Sequence, residues 1–570
     1  MGYPREIKRN IMVGKIIKAL FIISLLLVSV SCSRMEEPVE KNTAITDNSE
    51  YYNEDSLSGI KELYVTVLKP NQTEPRYDFT LEQLNSNIID PFRKHDPEVR
   101  VIFQEGVNGV INKDNYGYGL SDYNATMRLR GQSARIADAK SYKIRLNSKA
   151  PWGKFVTVNL NKHPFDDLRI RNKLAFELIK DVSDITSVST QFVHLYVKDF
   201  SEGNFSTPYI DYGLFTHVEN IDTRYLENHG LDKNGHLYKC EYFEFKRYED
   251  IIKNVTDDDY DENDFEDILE IKGVHDHQKL IEMLDAVNNE FMHINDVIDT
   301  YFDRDNFITW LALNFITDNV DTQSRNYYLY SPSDADTWYF IPWDYDKGLG
   351  AYSERRPIWQ RGLSNLWGNT LVNRFLRNTD NKNALTEKME ELKIIISQEK
   401  LDYFIELYRP IATRFLTSPP DNSIAELDLE DINEEFELLK DSIELNLREY
   451  YKSLERPMPV FLFPVHLIGN FMEFDWSISY DFQGDPLHYH FQLSDSPLFK
   501  EILYEKDNIL DKIVYDKNGI IDSCDDRVEY TIEHACNLNR KELVDLRKEI
   551  INDFINEFNK HFYIFIKEIK

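Results

Sequence analysis

The sequence predicts an α+β chain: a two-lobed domain over residues 59–455, strand-rich then helix-rich, followed by a small β-sandwich-like region over residues 456–570. Three observations lead there. Short β-branched and aromatic runs, broken by Gly, Pro and Asn, crowd the stretch from Ile60 to Asn220. Apolar residues at helical spacing then dominate from Lys279 to Leu454, with one hairpin between them. Pro457 and Pro459 mark a linker, after which strand-like alternation returns. At 570 residues the chain exceeds one ordinary core, and 42% hydrophobic and 13% aromatic residues supply the apolar surface of a folded protein despite 29% charge.

Residues 1–32 read as a lipoprotein signal peptide. Arg5, Lys8, Arg9, Lys15 and Lys18 precede an apolar run, Ala19 to Val28, that only Ser24 interrupts. The run is well short of the ~20 residues that span a bilayer. Small residues then lead to Cys32, the expected lipidation site and mature N-terminus. Ser29 stands where Leu is usual, so ordinary secretory cleavage after Ser31 stays open. The chain is thus expected to be exported and lipid-anchored to the bacterial cell membrane or cell surface. Residues 33–58, polar and acidic, are expected to form a disordered tether.

Strands follow in LYVTVLK, VRVIFQE, NATMRLRG and SYKIRLN, an antiparallel sheet region against which the helix Leu168 to Lys180 should pack one face. QFVHLYVKD and YGLFTHVEN read as a buried strand pair, and the acidic VTDDDYDENDFEDI as an exposed loop. The helices KLIEMLDAVNNEF and DNFITWLALNFITDN come next, then the hairpin NYYLYSPSDADTWYFIPWDYD, then helix from Thr370 to about Leu454. Beyond the linker, FMEFDWSISYDFQGDPLHYHFQLSDSPLF resembles the opening of a fibronectin-III-like sandwich. Asn537 to Lys560 reads as a helical insertion, and HFYIFIKEI as a closing strand.

The net charge of −33 repels phosphate backbones, which excludes nucleic acid as a partner; a basic partner or peptide substrate would be attracted. Four cysteines make no disulfide framework and show no C-x-x-C spacing, so a structural zinc site has no support. Pairing of Cys524 with Cys536 stays open, and Cys240 reads as buried.

The chemistry concentrates at the ends of the hairpin. Asp321 and Asn326 form a D-x-x-x-x-N loop after the long apolar helix. In phosphoryl transfer this spacing lets the Asp accept a hydroxyl proton while the Asn carboxamide oxygen holds a divalent ion. A capping or turn pair gives the same spacing. Asp344 closes the second hairpin strand as a second metal ligand, with Asp346 two residues on as ligand or turn cap. Strand alternation sets Trp338 on the same side as Asp344, where it can stack on a nucleotide base or pack in the core. In LRGQSARIADAKSYKIRL, Lys143 is the candidate phosphate-binding cation, with Arg130 and Arg145 as alternatives and Gly131 and Ser133 in a small-residue turn between strands. Glu177 or Glu219 is the candidate acid beside Lys143.

RGQSARIADAKSYKIRL, LNKHPFDDLRIRNKLAFEL, FVHLYVKD, YGLFTHVEN, LYK, NVDTQSRNYYLY and FIPWDYDKGLG occur in this order, and together they resemble the CotH (spore-coat protein H) family from about Ile60 to Leu454. The resemblance implies an atypical protein-kinase-like fold that binds ATP and Mg2+ and phosphorylates serines of secreted or coat proteins. By position, Asp321 then resembles the catalytic base, Asn326 and Asp344 the metal ligands, and Lys143 the phosphate-binding lysine. Ala134 stands where many members carry a second serine, which puts one phosphate contact in doubt. The implied activity is transfer of the ATP γ-phosphoryl group to Ser or Thr of exported proteins. The alternative is a non-catalytic adhesion or scaffold lipoprotein with a kinase-like binding domain.

Overall fold

The computed structural model describes residues 44–86, 96–203, 207–350, 356–463, 466–468, 471–474, 476–510, 514–515, 521–522, 528–531 and 563–569. Cys32 with the expected signal peptide, the expected tether up to residue 43, Cys524, Cys536 and the helical insertion expected over 537–560 lie outside these residues.

The N-terminal strands are β1 (Ile60–Val67), β2 (Val99–Gly106), β3 (Ala125–Leu129), β4 (Tyr142–Leu146), β5 (Thr157–Asn161), β6 (Thr190–Asp199) and β7 (Ile210–Val218). They close a barrel in the order β1-β2-β3-β4-β5-β7-β6. Neighbours are antiparallel except β1 and β6, which run parallel from Ile60↔Phe192 to Val67↔Asp199. Local alternation announces the strands but not this closing pair, which joins segments far apart in sequence. The period-2 pattern fills the inside with Val65, Phe103, Met127, Ile144, Leu160 and Leu195. On β3 and β4 the same alternation turns Arg128, Lys143 and Arg145 outward, against buried Met127, Leu129, Tyr142, Ile144 and Leu146.

The helix Arg171–Ile179 is buried at every position, rather than packing one face. Its charges are internally matched: Arg171 meets Asp166 at 2.6 Å, and Lys173 meets Glu177 at 2.8 Å.

The second lobe is built on a four-stranded sheet in the order β11-β10-β8-β9, from β8 (His236–Cys240), β9 (Leu269–Ile271), β10 (Tyr327–Ser331) and β11 (Tyr339–Pro342). Cys240 is buried. The helix Arg304–Ile316, capped by Asp303, lies under the hairpin, with Trp310 stacked on Phe340 at 4.4 Å. A capping box of Asp428 and Asp431 starts the long helix Leu429–Leu454. Part of the acidic stretch expected as a loop is helical: Asp261 caps Glu262–Ile268, and Phe265 and Ile268 are buried.

The lobes are pinned at Asp421. Lys162 Nζ lies 2.6 Å from its carboxylate, Arg169 pairs with it, and Leu214 N donates to it at 2.8 Å. Gly213 beside it has φ +77, and a Cβ there would run into that carboxylate.

The second half of the expected tether is docked instead. Ser49–Glu54 forms a 3-10 turn and Ile45 is buried. Asp47 lies 2.6 Å from His229 Nδ1, Tyr51 Oη donates to Glu219 at 2.5 Å, and Asp55 pairs with Lys154 at 3.1 Å and Lys180 at 2.8 Å. Acidic composition suggested disorder, but here each named acid meets a cation of the folded domain.

After Leu454 come two three-stranded antiparallel sheets and a two-stranded one, β16 (Val514–Tyr515) with β17 (Ile521–Asp522). One three-stranded sheet joins β12 (His466–Ile468), β13 (Phe471–Phe474) and β18 (Val528–Thr531); the other joins β15 (Ile502–Leu510), β14 (His488–Ser494) and β19 (Tyr563–Ile569). β19 is the strand read in HFYIFIKEI, and it pairs with β14. Phe474 and Trp476 pack on Phe491 at 5.2 and 6.0 Å. The region docks on the helical lobe through Tyr480, stacked on Trp367 at 5.6 Å with Arg377 over both rings.

Candidate active site

Between the barrel and the helical lobe lie two adjoining compartments, of about 800 and about 160 Å3, which share Arg130, Gln132, Lys239, Glu241, Arg325 and Trp343. The larger is within the range of small-molecule sites.

The smaller compartment gathers Asp321, Asn326, Asp344 and Asp346. Asp321 follows the helix Arg304–Ile316 through a turn, and Asn326, at φ +63, turns back so that its Nδ2 donates to Asp321 Oδ2 at 3.2 Å. That contact commits the amide nitrogen and leaves the amide oxygen as the end available to a ligand. Lys347 Nζ lies 3.5 Å from Asp321.

Asp344 sits just past β11 at φ +55. Its carbonyl accepts from Asn319 Nδ2 at 3.1 Å, and the next amide, of Tyr345, donates to Asn172 Oδ1 at 3.0 Å, so one buried side chain from the turn after the helix Arg304–Ile316 and one from the helix Arg171–Ile179 hold this strained turn. Burial, with Asp346 and then Asp321 nearby, pushes the Asp344 carboxyl up to about 7, against the opposing charges of His163 and Arg130. Asp346 lies 3.5 Å from His163 Nδ1.

All four candidate donors are oxygens, which suits a hard divalent ion such as Mg2+. Among the described residues no three His, Cys, Asp or Glu side chains converge into a closed cage. The fit is therefore an open site, with one or two carboxylates and the Asn326 amide, of the kind Mg2+ completes with water and phosphate oxygens. The crowding that raises Asp344 is charge that such an ion would relieve.

Lys143 projects from β4 into the larger compartment and donates to Asn220 Oδ1 at 2.9 Å. Burial, with Arg128, Lys272 and Arg130 around it, lowers its pKa to about 7. Arg130 lines both compartments, reaches Asn161, and lies over the Trp343 ring at 5.4 Å. The Gly131–Arg135 turn borders both spaces; Arg135 fixes it through Asp96, at 2.6 and 2.7 Å.

Four candidate residues, Trp338, Glu219, Glu177 and Arg145, do not take the site roles expected of them. Trp338 is fully buried, packed on His236 and Tyr238 at 6.0 and 6.1 Å, and lines neither compartment. Trp343, of opposite parity to Trp338, is the indole that lines the cleft, and Asp344, where the backbone turns left-handed, leaves the Trp338 face to join it. Glu219 turns away from Lys143 to Tyr51, to His229 at 3.2 Å and to the Ser189 amide at 3.0 Å; its neighbour Asn220 meets the lysine. Glu177 serves Lys173 and Lys180. Arg145 also lies outside both compartments.

The sequence reading missed an ion-pair cluster on the sheet. Lys239 of β8 pairs with Glu241 and, at 3.7 Å, with Glu270 of β9, which Lys272 meets at 2.5 Å. Alternating Lys and Glu in LYKCE and LEIK was the available signal: on paired strands it stacks opposite charges on one face.

A model of the family described as CotH kinase protein matches residues 127–450. A crystal structure of a Helicobacter pylori proinflammatory kinase, CtkA, aligns over 55% of this chain and 95% of its own at 13% identity, with a TM-score of 0.26, too loose to bear on the site. No curated protein matches the sequence. The family match spans more than half of the chain and contains every residue of the smaller compartment. The chain therefore belongs to the CotH kinase family, and residues 127–450 form its kinase-like domain.

Proposed function

We propose that this protein is an ATP- and Mg2+-dependent protein kinase that transfers the γ-phosphoryl group to Ser or Thr hydroxyls of exported proteins. The observation that carries the reading is the meeting of Asp321, Asn326, Asp344 and Asp346 in one compartment, opening on a larger cavity walled by Lys143 and Arg130. When bound, ATP with its divalent ion supplies the phosphoryl group and neutralises charge on it. Asp344, Asp346 and the Asn326 amide oxygen hold that ion. Lys143 and Arg130 hold the phosphates, and Trp343 with Tyr328 offers the base an aromatic wall. Asp321 accepts the acceptor hydroxyl's proton as the new O–P bond forms and the bond to the ADP leaving group breaks.

The chain is proposed to act outside the cytoplasm, held at the bacterial membrane or cell surface by lipid on Cys32. Its partners are protein substrates, not nucleic acid.

The test is transfer of 32P from γ-labelled ATP with Mg2+ by the full chain, beside Asp321→Asn and Asp344→Ala. Label on the protein or an added Ser-containing peptide, reduced at least ~100-fold in both variants, is the expected result. Absence of label together with absence of nucleotide binding by calorimetry removes the kinase reading and leaves a non-catalytic scaffold.

A further inference from the structure

Beside the main cavity lies a second groove of about 480 Å3, which shares Arg128, Lys143, Asn220 and Lys272 with it. Its walls carry six cations, Arg76, Arg128, Lys143, Arg145, Arg224 and Lys272, against two carboxylates, Glu98 and Asp222. On a chain of net charge −33 this is a local reversal of sign.

Strand register produces it. The outward positions of β3 and β4 set Arg128 directly opposite Lys143, a like-charge pair that costs stability in a ladder. Arg145 is the next outward residue of β4, flanked by Thr126 and Thr157. One rim is already anchored: Arg76 by Glu98 at 2.6 Å, Arg128 by Asp96 at 2.7 Å. Asp222 is occupied in capping the helix Thr223–Asn228 and accepting from Asn220 at 2.7 Å, so it does not neutralise the Arg224 guanidinium. Arg145 and Arg224 are exposed, and no carboxylate pairs with their guanidinium groups among the described residues.

We infer that this groove docks a short acidic stretch of the acceptor polypeptide, its carboxylates meeting Arg145 and Arg224 at the outer end and Arg128 and Lys272 at the inner. The word acceptor rests on the kinase reading; the docking of an acidic segment does not. The groove takes only a few residues, and the acidic surface beyond it repels a long polyanion, which favours a peptide segment over a nucleic acid. The inferred preference is opposite in sign to that expected from net charge alone, because the groove rather than the whole surface makes the contact.

The experiment is fluorescence anisotropy of a labelled Asp/Glu-rich peptide lacking Ser and Thr, titrated with the full chain and with the Arg145→Glu, Arg224→Glu double variant. Both residues are exposed, and an unchanged melting temperature would establish that the variant folds. The expected result is binding weakened at least ~10-fold by the double reversal and also by about 0.5 M salt, with nucleotide affinity by calorimetry held within about twofold. Equal binding by both proteins overturns the inference, as does preference for a Lys/Arg-rich peptide or competitive displacement by ATP. An oligonucleotide that binds in place of the peptide overturns it too. A chain that binds the peptide but neither binds nucleotide nor labels itself or a Ser-containing peptide overturns the kinase reading alone and leaves the acidic docking groove in place.

Discussion

Two tryptophans five residues apart divide the labour of the hairpin. Trp338 is core, so Trp338→Ala is expected to cost about 3–5 kcal/mol of stability, read by denaturant unfolding. Trp343 lines the cleft but is itself nearly buried, against Phe176 and Tyr328, so Trp343→Ala is expected to cost about 3 kcal/mol of stability and, measured on the folded protein, to weaken nucleotide binding roughly tenfold, the scale of one lost base–aromatic stack. Sequence alone left Trp338 open between base stacking and core packing and did not single out Trp343, because which face of the strand borders the cleft is set by the packing of the lobes and not by alternation. Asp321, Asn326 and Asp344 were legible for the opposite reason. The first two are fixed within one loop and the third at a strand end, where local spacing carries the information. The partner of Lys143, an amide and not an acid, was not legible: Glu219 and Asn220 are consecutive, and which faces the lysine depends on where β7 ends, at Val218.

The docked segment 45–55 behaves as an element in its own right. His229 sits between Asp47 and Glu219; burial opposes its charge, but hydrogen bonds and charge from the two acids outweigh it and raise its pKa to about 9. The unfolded imidazole titrates near 6.5. The raised folded value means the stabilisation is complete below that pH and is lost as pH rises through about 9. Thermal melts between pH 6.5 and pH 10 should therefore show a fall of several degrees that Asp47→Asn largely removes. A chain beginning at residue 59 should melt lower than one beginning at residue 44, since Asp55 no longer meets Lys154 and Lys180. The adjacent Tyr51 and Tyr52 inside a polar stretch were the sequence's hint of docking; bulk composition hid it, because charges matched across 99 to 182 residues leave no local pattern.

At the scale of the molecule, the cleft exists only while the barrel and the helical lobe stay in register, and Asp421 is where they are joined. Asp421→Ala would leave Lys162 and Arg169 buried without their shared counter-charge, with an expected loss of about 3–5 kcal/mol and, by the same displacement, weaker nucleotide binding. The two-lobed order and the hairpin between helical blocks were readable from periodicity. Barrel closure was not, because the parallel pairing of β1 with β6 spans more than a hundred residues. That pairing also governs how the protein bears load. β1 is held along both edges, by β2 and by β6, so tension applied at the N-terminal end and directed along the strand must shear whole rows of backbone hydrogen bonds together instead of peeling them singly. The ion pairs of residues 45–55 lie before β1 in the path of that force. Pulling single molecules from the N-terminus is expected to give a small early yield as those pairs release, followed by a separate, higher-force rupture of the barrel.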